Sequence, residues 1–178
     1  MLLMYFITWN QNKFIEVQSI IHDIQKLDIE LPEIQDIDAQ KIIEAKLFEA
    51  KKHYDGDFFV EDTSLYLSAL NWLPWPLIKW FLQELWQQWI YNIVEKLWDF
   101  NATAKTIIGY MDKQWTAIYF IWEIQWTIVE PLVATNFGWD SLFQPLWSAK
   151  TFAAMSAEEK RNFSMRKIAV EKLKAYII

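Results

Sequence analysis

The chain has 178 residues, and its 17 basic and 23 acidic side chains give a formal charge of −6 and a pI of about 5.0. A chain of this length can bury a hydrophobic core as a single domain. Its acidity argues against a general nucleic-acid-binding protein, which would normally be basic. It has no cysteine, which excludes disulfides and thiolate metal sites and fits a reducing compartment.

The apolar segments are short. None reaches the roughly 18 uninterrupted residues expected of a membrane span, and residues 1–7 show neither a basic segment nor a cleavage site typical of a secretion signal. We therefore expect a cytoplasmic protein that binds neither membranes nor nucleic acid.

The first predicted elements are a strand over residues 2–7, a polar turn over Thr8–Lys13, and a helix. The helix is predicted from one apolar face at helical spacing, formed by Phe14, Val17, Ile20, Ile21 and Ile24. A strand, a tight turn and a helix form a phosphate-binding arrangement, because free backbone N–H groups and the helix dipole attract anions. An ordinary N-cap followed by a solvated lysine is the alternative.

A second helix is predicted over residues 42–52, and then a buried strand over Phe58–Val60. Two acids, Glu61 and Asp62, follow that strand directly, at the position where open α/β folds place their ligands. A solvated strand end is the alternative interpretation. Residues 74–76 contain two prolines that predict a rigid turn before a third helix over residues 77–96.

The remaining chain alternates again between strand and helix patterns. Runs of β-branched and aromatic residues predict strands over 102–110, 116–121 and 127–129. Ser156 and Glu159 form the pattern of a capping box, which starts a last helix that we expect to run through Arg166. The order of elements predicts an α/β fold.

Several motifs stand in a recognisable order: Thr8-x-Asn10-x-x-Lys13, Leu31-Pro32-Glu33, Glu61-Asp62-Thr63, Phe137-Gly138-Trp139-Asp140 and Ser164-Met165-Arg166. On these motifs the chain resembles the Ham1-like inosine and xanthosine triphosphate pyrophosphohydrolase family almost from end to end. That family hydrolyses non-standard purine nucleoside triphosphates to monophosphate and pyrophosphate. The resemblance implies a mixed twisted sheet flanked by helices, of an anticodon-binding-like α/β type, with two lobes and an active-site cleft. It also implies one domain over 1–178 and a homodimer.

The resemblance further implies roles for individual residues. Asp62, Glu61 and Lys46 are the implied catalytic residues, and Glu33 and Asp62 are the implied ligands of Mg²⁺. The implied substrate-binding residues are Thr8, Asn10, Lys13, Ser64, Phe137, Trp139, Asp140, Lys160, Ser164 and Arg166. Met165 replaces a family histidine that contributes to base recognition, so a pyrophosphatase for modified pyrimidine triphosphates stays open as an alternative.

The tryptophan content is abnormal: the chain has 12 tryptophans and only 3 glycines, where about 12 glycines are usual for this length. Trp80 and Trp139 match family tryptophans. The other ten fall at or near family glycines: Trp9, Trp72, Trp75, Trp86, Trp89, Trp98, Trp115, Trp122, Trp126 and Trp147. Our hypothesis is that the gene reads UGA as glycine and is written here with UGA as tryptophan. The alternative is a naturally tryptophan-rich, non-catalytic nucleotide-binding or interaction protein, since an indole at Trp9 would fill the phosphate loop.

Overall fold

The fold is a mixed α/β arrangement, seen in a computed structural model that describes residues 4–132 and 139–177. The described residues form seven strands: β1 (Tyr5–Ile7), β2 (Gln25–Leu27), β3 (Phe58–Leu67), β4 (Pro74–Trp75), β5 (Asn101–Met111), β6 (Ala117–Ile128) and β7 (Phe143–Pro145). They form one sheet in the order β2-β1-β3-β5-β6-β7, with β4 paired to β3. β1 runs parallel to both β2 and β3, whereas β4 is antiparallel to β3 and β7 is antiparallel to β6. The predicted α/β class with a mixed sheet is confirmed.

The helices are α1 (Gln11–Gln18), α2 (Ala39–Ala50), α3 (Ile78–Leu97), α4 (Ala157–Asn162) and α5 (Met165–Ile177). Two short 3-10 helices lie at Ser68–Leu70 and Phe152–Ala154. None of the helices in the described ranges combines the length and apolar character that crossing a membrane requires.

The chain divides into two compact units. The first unit comprises the described residues of Met1–Thr63, Thr106–Trp122 and Arg166–Ile178, and the second comprises Ser64–Lys105 and Glu123–Met165.

In the first unit, α2 packs against the sheet at a very short distance. Ile43 and Leu47 of α2 are fully buried in a cluster with Phe58 and Val60 of β3. Gly109 of β5 lies beneath them, and a Cβ atom there would meet the side chains of Ile43 and Leu47, the latter at 2.8 Å. The glycine therefore permits the close approach of helix and strand.

In the second unit, one apolar core joins α3 to the sheet. Ile90 and Val94 of α3 are buried together with Trp126 of β6 and Phe143 of β7. The Trp126 ring contacts Phe143 and Phe152 edge-on, with centroids 5.3 and 4.7 Å apart. Aromatic rings favour this edge-to-face geometry, so these contacts stabilise the core.

Several predicted boundaries are wrong in instructive ways. β3 continues to Leu67, so Glu61 and Asp62 lie inside a strand and not at its end. It stays extended because β1 pairs with it at Phe58 and Phe59 and β4 pairs with it further along. The turn predicted over residues 74–76 is correct only at Pro76, since Pro74 begins the short strand β4.

Three other differences concern helix ends and one hairpin. α1 stops at Gln18, and the apolar residues at positions 20, 21 and 24 pack from turns that follow it. β6 is one continuous strand, so Trp122 and Trp126 lie within it and do not mark turns. The Ser156 capping box is confirmed, but α4 ends at Asn162 and a separate helix begins at Met165.

Candidate active site

Glu61 is the centre of a buried ion network in the first unit. Its side chain has no exposed surface and lies 2.7 Å from the Lys13 ammonium. The Arg166 Nε–H donates to Glu61 Oε1 at 3.1 Å, and the Thr63 hydroxyl donates to the same oxygen at 2.6 Å. Burial alone would raise the pKa of Glu61, but the charges of Arg166 and Lys13 outweigh it and lower the pKa to about 2. Glu61 is therefore a permanent anion at neutral pH.

The polar turn after β1 is built as a helix start. The Asn10 side chain caps α1 by accepting a hydrogen bond from the Lys13 N–H at 3.1 Å, and Thr8 Oγ1 accepts from the Asn10 N–H at 3.1 Å. Lys13 itself is mostly buried beside the two acids, 3.9 Å from Asp62 Oδ1. The structure thus has the N-cap of the alternative interpretation, but with a lysine turned toward Glu61 and Asp62. Trp9, one residue before the cap, is 63% exposed.

Asp62 and Lys46 extend this network to Glu33. The Lys46 ammonium lies 3.0 Å from Glu33 Oε1 and 3.9 Å from Asp62 Oδ1. Lys46 is buried on α2, so it is not a solvated helix lysine. Burial raises the pKa of Asp62, with the charges of Glu61 and Glu33 adding to the rise and those of Lys46 and Lys13 opposing it. The adjacent acids Glu61 and Asp62 are consequently shifted in opposite directions, which is common where carboxylates have different roles.

Arg166 is held by three protein groups, a contact pattern that the sequence did not predict. Besides Glu61, its guanidinium donates to Glu16 Oε2 at 2.5 Å and to Thr63 Oγ1 at 3.3 Å. Thr63 also lies 3.0 Å from the Thr106 hydroxyl. Glu16 was missed: it lies 150 positions from Arg166 in the chain, so no local pattern signalled this contact.

The remaining predicted site residues in the described chain lie in the second unit. Lys160 Nζ donates to Asp140 Oδ2 at 2.8 Å, and the Asp140 carbonyl accepts from the Ala153 N–H at 2.9 Å. The Trp139 ring is part of the core, tilted against Phe143 with centroids 5.9 Å apart. Phe137 lies outside the described residues.

Three buried side chains near the predicted motifs complete the second unit. Ser64 and Ser164 are both buried, and the Ser64 hydroxyl has no hydrogen-bond partner among the described residues. Met165, which stands where the family has histidine, is buried in the apolar core. Its thioether packs against hydrophobic side chains and offers no strong hydrogen bond to a ligand.

The oxygen ligands for a metal are few. Within 4–132 and 139–177, no group of three or more His, Cys, Asp or Glu side chains is arranged to hold an ion. Glu33 and Asp62 nevertheless approach the same Lys46 ammonium. A pair of carboxylates suits Mg²⁺, which usually takes one or two from the protein and completes its shell with water and phosphate oxygens.

An α/β fold that brings lysines from two helices beside adjacent carboxylates is typical of enzymes acting on phosphorylated small molecules. The chain belongs to the Ham1 family, whose family model matches residues 4–176.

Similar proteins and similar solved structures match this chain over nearly its full length. The inosine triphosphate pyrophosphatase of Schizosaccharomyces pombe is 34% identical over 97% of this chain and 93% of its own. That of Kluyveromyces lactis is 36% identical over 97% and 94%. A HAM1 protein from Coxiella burnetii has a similar fold, with a TM-score of 0.82 at 20% identity over 99% and 98% of the two chains. A nucleoside-triphosphatase, described as a dITP/XTP pyrophosphatase, from Mycobacterium abscessus gives 0.74 at 18% identity over 96% and 98%.

Proposed function

We propose that this chain hydrolyses non-canonical purine nucleoside triphosphates, namely ITP, dITP and XTP, to the monophosphate and pyrophosphate. The observation that carries the proposal is the approach of two lysines from different helices, Lys13 and Lys46, to the same Asp62 oxygen at 3.9 Å. Membership in the Ham1 family and relatives named inosine triphosphate pyrophosphatase support it.

In the proposed reaction the lysines bind the triphosphate. Lys13 and Lys46 neutralise the charge that develops on the phosphate oxygens during in-line attack, and the free N–H groups at the start of α1 add a favourable dipole. Thr8 and Asn10 fix the turn that presents these groups. Glu61 does not react: as a buried anion it holds Lys13 and Arg166 in position.

Asp62 is the proposed residue that orients the attacking water. Glu33 and Asp62 would hold Mg²⁺, which when bound polarises the phosphoryl group and offsets its charge. Because both carboxylates already pair with Lys46, this lysine orients them in the absence of substrate.

Recognition of the base is proposed from the family resemblance, and the residues that the resemblance implies include Arg166. The proposed set is Ser64, Phe137, Trp139, Asp140, Lys160 and Ser164. Donors in this set would satisfy the six-keto oxygen of inosine or xanthine, and would face the amino group of adenine unfavourably. We further propose that residues 1–178 act as one domain, as a homodimer in the cytoplasm.

The test is pyrophosphate release with Mg²⁺ from ITP, dITP and XTP, with dUTP and 5-methyl-UTP as pyrimidine comparisons. It is run on the chain and on its Trp9→Gly variant, because Trp9 directly precedes the α1 N-cap Asn10 and glycine there lets the backbone approach a phosphate closely. We expect purine activity that falls roughly 10²–10⁴-fold in Asp62→Asn. The matched control is Asp55→Asn, an exposed aspartate of the same unit, which should leave the rate unchanged. The proposal fails if neither protein releases pyrophosphate from any purine, or if Asp62→Asn is fully active.

A further inference from the structure

The backbone of this chain adopts a left-handed conformation at five non-glycine residues of the described ranges, and four of them are tryptophan. The five are Asn71 (φ 50°), Trp72 (φ 73°), Trp86 (φ 59°), Trp98 (φ 54°) and Trp115 (φ 67°). Positive φ brings Cβ against the backbone, so glycine is the usual residue there, with asparagine tolerated and bulky residues rare. Tryptophan is an improbable residue for this conformation, yet it takes it four times.

Trp98 occupies the position where helices most often end in glycine. The N–H of Trp98 donates to the Glu95 carbonyl at 3.1 Å, and the N–H of Asp99 donates to the Val94 carbonyl at 3.2 Å. These two bonds make the Schellman motif, in which the left-handed residue is normally glycine. The backbone at the end of α3 is therefore that of a glycine-capped helix.

The turns at Trp72 and Trp115 have the same character. Asn71 and Trp72 are both left-handed between β3 and β4, a backbone for which Asn-Gly is the preferred pair. In the β5–β6 turn, the Trp115 N–H donates to the Asp112 carbonyl at 3.0 Å, so Trp115 is the left-handed residue that closes a short hairpin turn. That position is also usually glycine.

Trp86 has the least tolerated conformation of the four. It interrupts α3 with φ 59° and ψ 166°, a region of backbone space that is essentially confined to glycine. No hydrophobic burial accounts for an indole here, since Trp86 is 74% exposed and Trp98 is 85% exposed. The Trp115 ring does have a partner, the Lys51 ammonium 3.9 Å from its centroid, but that contact sets no requirement on φ.

We infer that the polypeptide made in its native cell carries glycine at the positions of Trp72, Trp86, Trp98 and Trp115, through decoding of one codon as glycine. The backbone supplies the evidence, independently of any catalytic role. The same decoding rule extends to the six other tryptophans that the family resemblance places at or near glycines: Trp9, Trp75, Trp89, Trp122, Trp126 and Trp147. Trp80 and Trp139, which match family tryptophans, remain tryptophan. Glycine would change the packing most at Trp126. Among those of the six whose side chains the structure describes, only Trp126 is fully buried.

The deciding experiment is peptide mass spectrometry on the protein purified from native cells, read at the four left-handed positions and at Trp80 and Trp139. Glycine at the four with tryptophan at the two is the expected result. Tryptophan at any of the four overturns the inference. Because the readout is residue identity, this test can fail while pyrophosphate release is observed, and the reverse.

A second, independent test measures the melting temperature of purified variants of the chain that carries tryptophan at these positions. Trp86→Gly and Trp98→Gly should each raise the melting temperature by roughly 2–4 °C, because each relieves a left-handed tryptophan. Trp80→Gly is the matched control: Trp80 is an exposed residue of the same helix without positive φ, and glycine there should lower the melting temperature. A fall or no change in both Trp86→Gly and Trp98→Gly contradicts the inference.

Discussion

The ion network around Glu61 and the four tryptophan turns differ in how well side chain and backbone agree. The buried Glu61 carboxylate lies within 3.1 Å of partner atoms of Lys13, Arg166 and Thr63. The strand that carries it has regular extended backbone. At Trp72, Trp86, Trp98 and Trp115 the backbone hydrogen bonds or turn geometry are sound, but the residue is the wrong one for its φ. A native sequence normally agrees with its structure at both levels.

The two regions therefore report different things about the molecule. Around Glu61 the side chains fit the backbone and each other's charges, which indicates that the residues there are those of the native protein. At the four positions the mismatch with a positive φ is confined to tryptophan, which indicates that the residue type is wrong there and that the backbone conformation is right. Three experiments test this difference between the two regions.

The largest expected effect is that of Glu61→Gln on stability. The variant keeps the size of the side chain but leaves Lys13 and Arg166 beside a neutral amide, so the free energy of unfolding at pH 7 should fall by about 3 kcal/mol. The pKa of Glu61 is lowered from 4.5 to about 2, so its stabilisation is complete above pH 4.5 and is lost as the pH falls to 2. Urea unfolding from pH 7 to pH 2, without metal or nucleotide, should show a flatter pH dependence in Glu61→Gln.

Glu171→Gln is the matched control for this effect. Glu171 lies on α5 with half of its side chain exposed, 3.8 Å from Lys167. An exposed pair of this kind contributes little, so the control should unfold like the parent chain. Equal stability of Glu61→Gln and the parent would show that the network is not a stabilising element.

An intermediate effect is expected for Arg166→Lys. One ammonium cannot reproduce the planar fork that reaches Glu61, Glu16 and Thr63, so stability should fall by about 2 kcal/mol. The chain has one other arginine, Arg161, which is exposed on α4. Arg161→Lys should leave the urea midpoint unchanged, and a similar midpoint in both variants would contradict the proposed role of the fork.

The smallest expected effect separates φ from indole size at Trp98. Trp98→Gly relieves the left-handed residue and should raise the free energy of unfolding by about 1 kcal/mol. Trp98→Asn should give part of this gain, because asparagine tolerates the conformation. Trp98→Ala removes the exposed indole but keeps a Cβ at positive φ, so its thermal unfolding should match that of the parent. A gain in Trp98→Ala equal to that in Trp98→Gly would attribute the effect to the indole.

The sequence predicted the fold class and most elements because these depend on local pattern. The apolar run at Phe58, the β-branched run from residue 102 and the Ser156 capping box all depend on neighbours close in the chain. The predicted ends failed where distant pairing decides them: β3 is extended by β1 and β4, and β6 stays continuous through Trp122, where a turn was expected.

The sequence motifs predicted which residues belong to the candidate site, but not all of the contacts between them. Glu61, Asp62, Lys13 and Lys46 do come together in the first unit. The binding of Arg166 by Glu16 was not predictable, since the two residues lie 150 positions apart and only the fold brings α1 and α5 together. The opposite pKa shifts of Glu61 and Asp62 likewise depend on burial that no local pattern contains.

Gly109 has a consequence for how this site can be lost. It lies under α2, the helix that carries Lys46, at a separation that leaves no room for a methyl group against Leu47. Gly109 thus limits how closely α2, the helix of Lys46, packs on the sheet. A larger residue at position 109 would press against α2, so the site can be disturbed there with every one of its polar residues intact.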